Sequence, residues 1–295
     1  MNKTRIACQA ACAGLILLAV SGRTQNLFVS SFTQNSIYEI TPGGVESTFA
    51  TGITDPGPLA FNSAGDLFVQ SGSSIIEVTP AGVKSTFATG LSDIGAMAFS
   101  SGGNLLVTDF NVQGFVYEIT PGGVKSQFGS SLDEPRGLAF NSAGNLFVST
   151  LNNITEITPA GQDSVFAPFA EGYTSASQMA FNSGGFLFAE EIDTVGNVIM
   201  KISPNGTATP FASVPEGFGE MAFNSAGNLF VSALNLSAIL EFNPNGVQSA
   251  FFNGISDPTG LAFAVPEPTV MGLLAASIPA WLLYRRFRKQ IRGGV

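Results

Sequence analysis

Histidine is absent from the 295 residues, and the two cysteines, Cys8 and Cys12, both fall near the N-terminus. Without imidazole there is no Ser-His-Asp triad, no Cys-His pair and no histidine-ligated zinc, and the commonest general base is missing. Charge is equally scarce, since Asp, Glu, Lys and Arg together make up 11% of the chain. Only Arg23, Lys84, Lys125, Arg136 and Lys201 of the 12 basic residues lie between positions 20 and 264. From Thr24 to Ala264, four basic residues stand against 20 acidic ones, a formal charge of −16. A body of that sign repels nucleic acid and anionic headgroups, and it attracts cations or basic partners. Glycine (34 residues) and phenylalanine (26 residues) are abundant instead, the composition of a turn-rich β protein with aromatic packing.

The first 22 residues place Lys3 and Arg5 before an apolar run from Ala11 to Val20, followed by the small residues Ser21 and Gly22. That order is a secretory leader, too short for a comfortable span, with cleavage expected near Ala19-Val20-Ser21; an uncleaved anchor is the alternative. Both cysteines leave with the leader. The mature chain then has no thiol, disulfide or cysteine metal ligand, and its stability rests on packing.

A repeat organises residues 24–264. Leu-Ala-Phe-Asn-Ser-Ala-Gly-Asp-Leu-Phe-Val begins at Leu59, with near copies beginning at Met97, Leu138, Met179 and Met221. A sixth copy, Leu261-Ala262-Phe263, stops short, and its missing half stands at the other end as Asn26-Leu27-Phe28-Val29. The central phenylalanines at 61, 99, 140, 181, 223 and 263 are spaced by 38, 41, 41, 42 and 40 residues, which leaves no room for a helix in the unit. Each unit reads as four short strands, in one copy Gly137 to Phe140, Asn145 to Thr150, Ile154 to Thr158 and Ser164 to Ala167. An Asn-Ser-Ala-Gly turn joins the first pair, and turns at Pro42, Pro80, Pro121, Pro159, Pro204 and Pro244 join the last. Four antiparallel strands per ~40 residues is a propeller-blade pattern. The fold class expected is all-β, a six-bladed β-propeller closed by pairing of its N- and C-terminal strands, with a signal helix before it and a transmembrane helix after it. The Phe pairs, such as Phe61 with Phe68 and Phe140 with Phe147, read as packing between blades rather than an aromatic cage.

The segment from Asp133 to Val148, Asp-Glu-Pro-Arg-Gly-Leu-Ala-Phe-Asn-Ser-Ala-Gly-Asn-Leu-Phe-Val, resembles the NHL-type repeat and is similar to repeats of gluconolactonase-like and streptogramin-lyase-like propellers. The resemblance spans nearly everything from Asn26 to Phe263 and implies a scaffold more than a chemistry. Streptogramin lyases use histidine, which this chain lacks. Gluconolactonase-like enzymes hold a divalent metal with carboxylate and Asn side chains, but their Glu-Gly-Pro opening is absent here. Asn62, Asn141, Asn182 and Asn224 all fall at one hairpin position, as a turn requirement would place them.

Acidic residues gather at the connections between blades, Asp55, Asp93, Asp133, Glu134, Glu171, Glu216 and Asp257, and after the second strands, Asp109, Glu190, Glu191 and Asp193. In a meander these two sets emerge on one side of the ring. The candidate binding face is therefore Asp55, Asp93, Asp109, Asp133, Glu190 and Asp257, either a solvated rim or a surface for Ca²⁺ or a cationic ligand. Glu39, Glu77, Glu118, Glu156 and Glu241 recur once per blade and read as a repeated exposed position. No catalytic residue and no cofactor is assigned.

After the repeats come Pro266-Glu267-Pro268, an apolar run from Thr269 to Tyr284, and a basic cluster, Arg285, Arg286, Arg288 and Lys289, within the tail 285–295. This order resembles the PEP-CTERM sorting signal, whose members are implied to be processed by a membrane exosortase. The apolar run is short for a span, and the positive-inside rule places the basic tail in the cytoplasm. An ordinary permanent anchor is the alternative. The expectation is an exported protein, held transiently in the inner membrane and then in the envelope or outside the cell. Two functions stay open: a non-enzymatic module binding a protein, polysaccharide or cation, and a metal-dependent lactonase or hydrolase.

Overall fold

A computed structural model describes residues 25–109, 114–168, 173–193, 197–214 and 217–264. The leader, the Pro266 to Pro268 motif, the apolar run and the charge stop at Arg285, Arg286, Arg288 and Lys289 lie outside the described residues, as do Glu171 and Glu216. Among the described residues, no helix is long and apolar enough to cross a membrane. The strands form six sheets, each of four antiparallel strands. Five follow chain order: blade 1 (56–89), blade 2 (94–128), blade 3 (138–168), blade 4 (173–214) and blade 5 (218–253). Blade 6 takes its first strand, Pro258–Phe263, from the C-terminal end and its others, Leu27–Ser31, Ser36–Ile40 and Glu46–Thr51, from the N-terminal end. The first strands of successive blades touch one another all the way round, blade 6 meeting blade 1. This is a six-bladed β-propeller.

The split blade closes in the register that the repeat demands. Leu27 pairs with Phe263, Phe28 with Ala262 and Val29 with Leu261, so the last first strand and the first second strand restore the missing copy. Strand limits in blade 3 fall within one residue of the sequence reading, at Leu138–Phe140, Leu146–Ser149, Asn153–Ile157 and Asp163–Pro168.

Turn chemistry explains the repetition of asparagine. Asn62 Oδ1 accepts the N–H groups of Ala64 and Asp66, each at 2.9 Å, and Asn141, Asn182 and Asn224 do the same in their blades. The turn then needs a left-handed residue, supplied by Gly65 at φ 89°.

Phenylalanine packs across the gaps between blades. Phe28 meets Phe49 of its own blade and Phe61 of the next edge-to-face, with centroids 4.9 and 5.0 Å apart. The same triad forms around Phe68, Phe147, Phe188 and Phe230, and Leu106 takes the central place between Phe128 and Phe140. Phe61 therefore stacks on the preceding blade's Phe28 rather than on Phe68. Such pairs add about 0.5–1.5 kcal/mol each beyond their buried area. The buried clusters likewise straddle neighbouring blades, one joining Phe68 and Ile75 of blade 1 to Met97 and Leu105 of blade 2.

The once-per-blade acids are half-buried rather than exposed. Glu39, Glu118, Glu156 and Glu241 accept the side-chain amides of Asn26, Asn104, Asn145 and Asn228 at 2.6 to 2.7 Å. Blade 4 replaces this pair with Phe186 and Lys201, whose ammonium sits 4.2 Å from the ring centroid.

Candidate functional site

The first strands line the axis, and three residues before each repeat phenylalanine they carry Pro58, Ala96, Gly137, Gln178, Glu220 and Gly260. Two of these are long and polar. Gln178 donates from Nε2 to the carbonyl of Gly95 at 3.3 Å, reaching from blade 4 to blade 2. Glu220 is buried, and its Oε2 accepts Leu261 N–H of blade 6 at 2.7 Å and Leu59 N–H of blade 1 at 3.3 Å. Burial raises its pKa to about 8, and the two backbone bonds pull the other way without cancelling that effect. A blade-5 carboxyl thus ties three blades together at the axis while staying protonated at neutral pH.

Beside it lies a cavity of about 410 Å³. Gly57, Gly95 and Gly219 bring bare backbone to its wall, Gln70, Gln178 and Thr259 add side chains, and Asp55 with the half-exposed Phe32 stands at its mouth. The glycines are a packing requirement, because a Cβ on Gly219 would stand 2.2 Å from the Thr259 carbonyl oxygen. One on Gly57 would stand 2.2 Å from Gln70 Oε1.

A second polar ring backs this wall. The residue after the repeat valine of the second strands, replaced by Ala189 in blade 4, is Ser30, Gln70, Thr108, Ser149, Glu190 or Ser232. Where it is a hydroxyl, it accepts an N–H from its own first strand or donates to the next. Ser30 takes Gly260 N–H at 2.6 Å and donates to Gly57 O at 2.8 Å, and Thr108 takes Ala96 N–H at 2.8 Å and donates to Arg136 O at 2.6 Å. Blades 1 and 4 substitute longer side chains.

The acidic residues expected on one face divide into two groups. Asp55, Asp93 and Asp133 are exposed on the connections between blades, and Asp257 is half-buried there. Asp55 and Asp257 both adopt φ 45°, in the left-handed region that Asp enters more readily than most residues. Asn152 donates to Asp133 Oδ2 at 3.1 Å, and Glu134 pairs with Arg136 at 3.0 Å. Asp109, Glu190 and Glu191 are not loop residues, however. Asp109 ends its second strand, Glu190 and Glu191 lie within Leu187–Asp193, and all three are buried. Asp109 Oδ2 accepts the N–H of Ser92 at 3.2 Å, and Glu190 Oε1 accepts Asn197 Nδ2 at 2.8 Å. Burial pushes Glu191 up to about 7, with its Oε2 left without a hydrogen-bond partner. Of the six candidate acids, Asp55 alone lines the cavity. Among the described residues, no three His, Cys, Asp or Glu side chains come together as a metal-binding group.

Glu220 does not stand out in the sequence by repetition, since no other blade carries an acid at its position. Its signal was the opposite, the one acid at an axial position filled elsewhere by Pro, Ala, Gly or Gln.

The sequence matches no protein-family model and no curated protein. The fold has many solved counterparts. A nidogen/laminin complex structure aligns with TM-score 0.71 at 14% identity, covering 82% of this chain and 98% of that one. A gluconolactonase from Xanthomonas campestris aligns at 0.61 and 17%, over 70% and 79% of the two chains. Virginiamycin B lyase from Staphylococcus aureus aligns at 0.59 and 16%, over 82% and 92%. Neighbours that include a nidogen/laminin complex, a gluconolactonase and a lyase establish the architecture and leave chemistry to the individual site.

Proposed function

We propose that this protein is exported, sorted by an exosortase-type membrane enzyme through its C-terminal tail, and retained in the envelope or extracellular matrix as a non-enzymatic binding propeller. The axial cavity is the ligand seat. The observation that carries this reading is the inventory of the wall: its titratable members are Glu220, already tied to two backbone N–H groups, and Asp55 at the rim. A general acid–base pair needs both groups in reach of one reacting atom, and here one is buried and bonded while the other stands exposed at the rim, whereas amides, hydroxyls and bare backbone are the means of holding a polar ligand.

Calorimetry of the mature protein against matrix polysaccharides, basic peptides and divalent cations, paired with a lactone-hydrolysis assay in the presence of those cations, tests the binding role. Saturable binding that weakens in Glu220→Gln, with no turnover, is expected. Metal-dependent lactone hydrolysis abolished by the same substitution would replace it with the hydrolase reading. Sorting is tested separately by mass spectrometry of the C-terminus. A cut at or near Pro266 to Pro268 is expected, with uncut precursor accumulating in Glu267→Ala, whereas peptides joining Arg285 to the propeller in the exported fraction would refute processing.

A further inference from the structure

Several donors of the cavity wall are already committed to the fold. Thr259 donates its hydroxyl to Pro56 O at 2.7 Å, Gln70 donates an amide N–H to Gly72 O at 3.2 Å and Gln178 one to Gly95 O at 3.3 Å. The backbone N–H groups of Gly72 and Ser92 are taken by Thr54 O and Asp109. Both backbone bonds of Glu220 fall on Oε2, and because the residue lines the cavity, Oε1 is the oxygen left to meet an occupant.

The surrounding field has one sign. Asp55 stands at the mouth, with Asp93 and Asp133 exposed on the same set of connections. The basic residues of the body are engaged elsewhere: Lys84 with Thr51 O, Lys125 with Gly90 O, Lys201 over Phe186 and Arg136 with Glu134. None lines the cavity. A pocket with a buried carboxyl, an acidic mouth and no basic residue in its lining suits a group that carries positive charge and donates several hydrogen bonds. A primary ammonium has that description. A quaternary ammonium has no N–H to offer Oε1, and guanidinium is a broad planar fork better matched to a bidentate carboxylate than to one free oxygen.

Resting on the reading of the axial cavity as a ligand seat, we propose that it binds a primary ammonium group, with Glu220 Oε1 as its anionic partner and Asp55 as the outer charge. The proton balance is definite. Glu220 holds its proton in the empty protein because burial raises its pKa to about 8. An ammonium placed against Oε1 favours the carboxylate, so one proton leaves as the cation enters. Asp55 is the other titratable residue lining the cavity among the described residues, and it is exposed. With a lysine-type amine, affinity therefore rises about tenfold per pH unit below the Glu220 pKa and levels off above it, until the ammonium itself deprotonates near pH ~10; an amino-sugar ammonium, acidified by its neighbouring oxygens, gives up its proton at lower pH and is compared at pH 6.5.

The test is calorimetry of the mature protein with four probes, N-acetyl-lysine amide, N-acetyl-norleucine amide, glucosamine and N-acetylglucosamine, in two buffers of different ionisation enthalpy. Ammonium recognition requires binding by the lysine derivative or by glucosamine, not by the neutral partner of either, with close to one proton released at pH 6.5. Whichever amine binds more tightly identifies the source as a basic side chain or an amino sugar. Glu220→Gln is expected to lose at least about tenfold in affinity at pH 8, together with the proton release and the pH dependence. Asp55→Asn, at an exposed position where folding is not at issue, is expected to weaken binding about two- to threefold at low salt and less at high salt. Equal binding of charged and neutral probes, or no proton release, overturns the ammonium assignment while leaving a binding propeller. Absence of binding by both amines at millimolar concentration also overturns it. Metal-dependent lactone turnover overturns the binding reading itself.

Discussion

Glu220→Gln should make the protein more stable at neutral and alkaline pH. The magnitude follows from the axial geometry. In the unfolded chain the carboxyl titrates near 4.5, and in the folded one near 8. Below pH 4.5 both states are protonated and the residue contributes nothing pH-dependent. Between the two values the unfolded chain releases its proton and the folded chain keeps it, so each pH unit subtracts about 1.4 kcal/mol from stability. Above pH 8 the loss stops growing, and across the window it reaches at most about 5 kcal/mol, a large share of the ~5–15 kcal/mol typical of a domain. Glutamine keeps an oxygen to accept Leu59 and Leu261 N–H, and Gln178 already fills the equivalent position in blade 4. Glu191, also raised by burial, titrates identically in both proteins and cancels in their difference. Urea unfolding of wild type and Glu220→Gln at pH 4.5, 6, 7 and 8 checks this. The gap should be near zero at the lowest pH and widen steadily. A gap independent of pH, or one that narrows as pH rises, refutes the assignment of Glu220 as a neutral buried acid.

Three further outcomes test the framework. Deleting 257–264 removes the strand that closes blade 6 and leaves Leu27–Ser31 as an open edge, so light scattering should show aggregation; a monodisperse protein with unchanged thermal unfolding argues against closure. Gly57→Ala and Gly219→Ala place a methyl at the same nominal separation from a neighbour, 2.2 Å, yet one meets a mobile Gln70 side chain and the other a fixed backbone carbonyl. The first should cost under about 1.5 kcal/mol, the second about 3 kcal/mol or more. In blade 4, Phe186→Asn and Lys201→Glu should each destabilise by about 0.5–1 kcal/mol, and the double variant should recover most of that by restoring the Asn–Glu pair of other blades, as a double-mutant cycle would read.

Much of the fold was legible because it repeats. Asn-Ser-Ala-Gly turns, a phenylalanine every ~40 residues and a final copy cut in half fixed blade number, strand count and closure by pattern alone. What failed to show did so for identifiable reasons. Asp109, Glu190 and Glu191 read as loop residues because acids are seldom buried in a strand. Their partners lie outside the repeated motif, the N–H of Ser92 on the preceding connection for Asp109 and the amide of Asn197 on the following strand for Glu190. The recurring Glu39 and its equivalents looked solvent-facing until their partners, the asparagines opening the second strands, were seen across the ladder. Gln178 and Glu220 lie at an axial position where every blade differs, so periodicity carries no information there. In a repeat protein, departures from the pattern are where to look for a site.

One strand of blade 6 has a mechanical consequence. Pro258–Phe263 touches the cavity at one end through Thr259 and ends beside Ala264, whose N–H bonds to Asn26 O at 3.0 Å and whose carbonyl accepts Gln25 Nε2 at 2.9 Å. Any tether at the C-terminus therefore pulls along this strand, in line with its axis and across its ladder with Leu27–Ser31, the loading direction in which all the rungs share the force. Tension applied to the tail and traction applied to a seated ligand meet in the same segment of six residues. The seam that closes the ring thus lies between the tail and the cavity, and load on either is carried by the pairing of these residues with Leu27–Ser31.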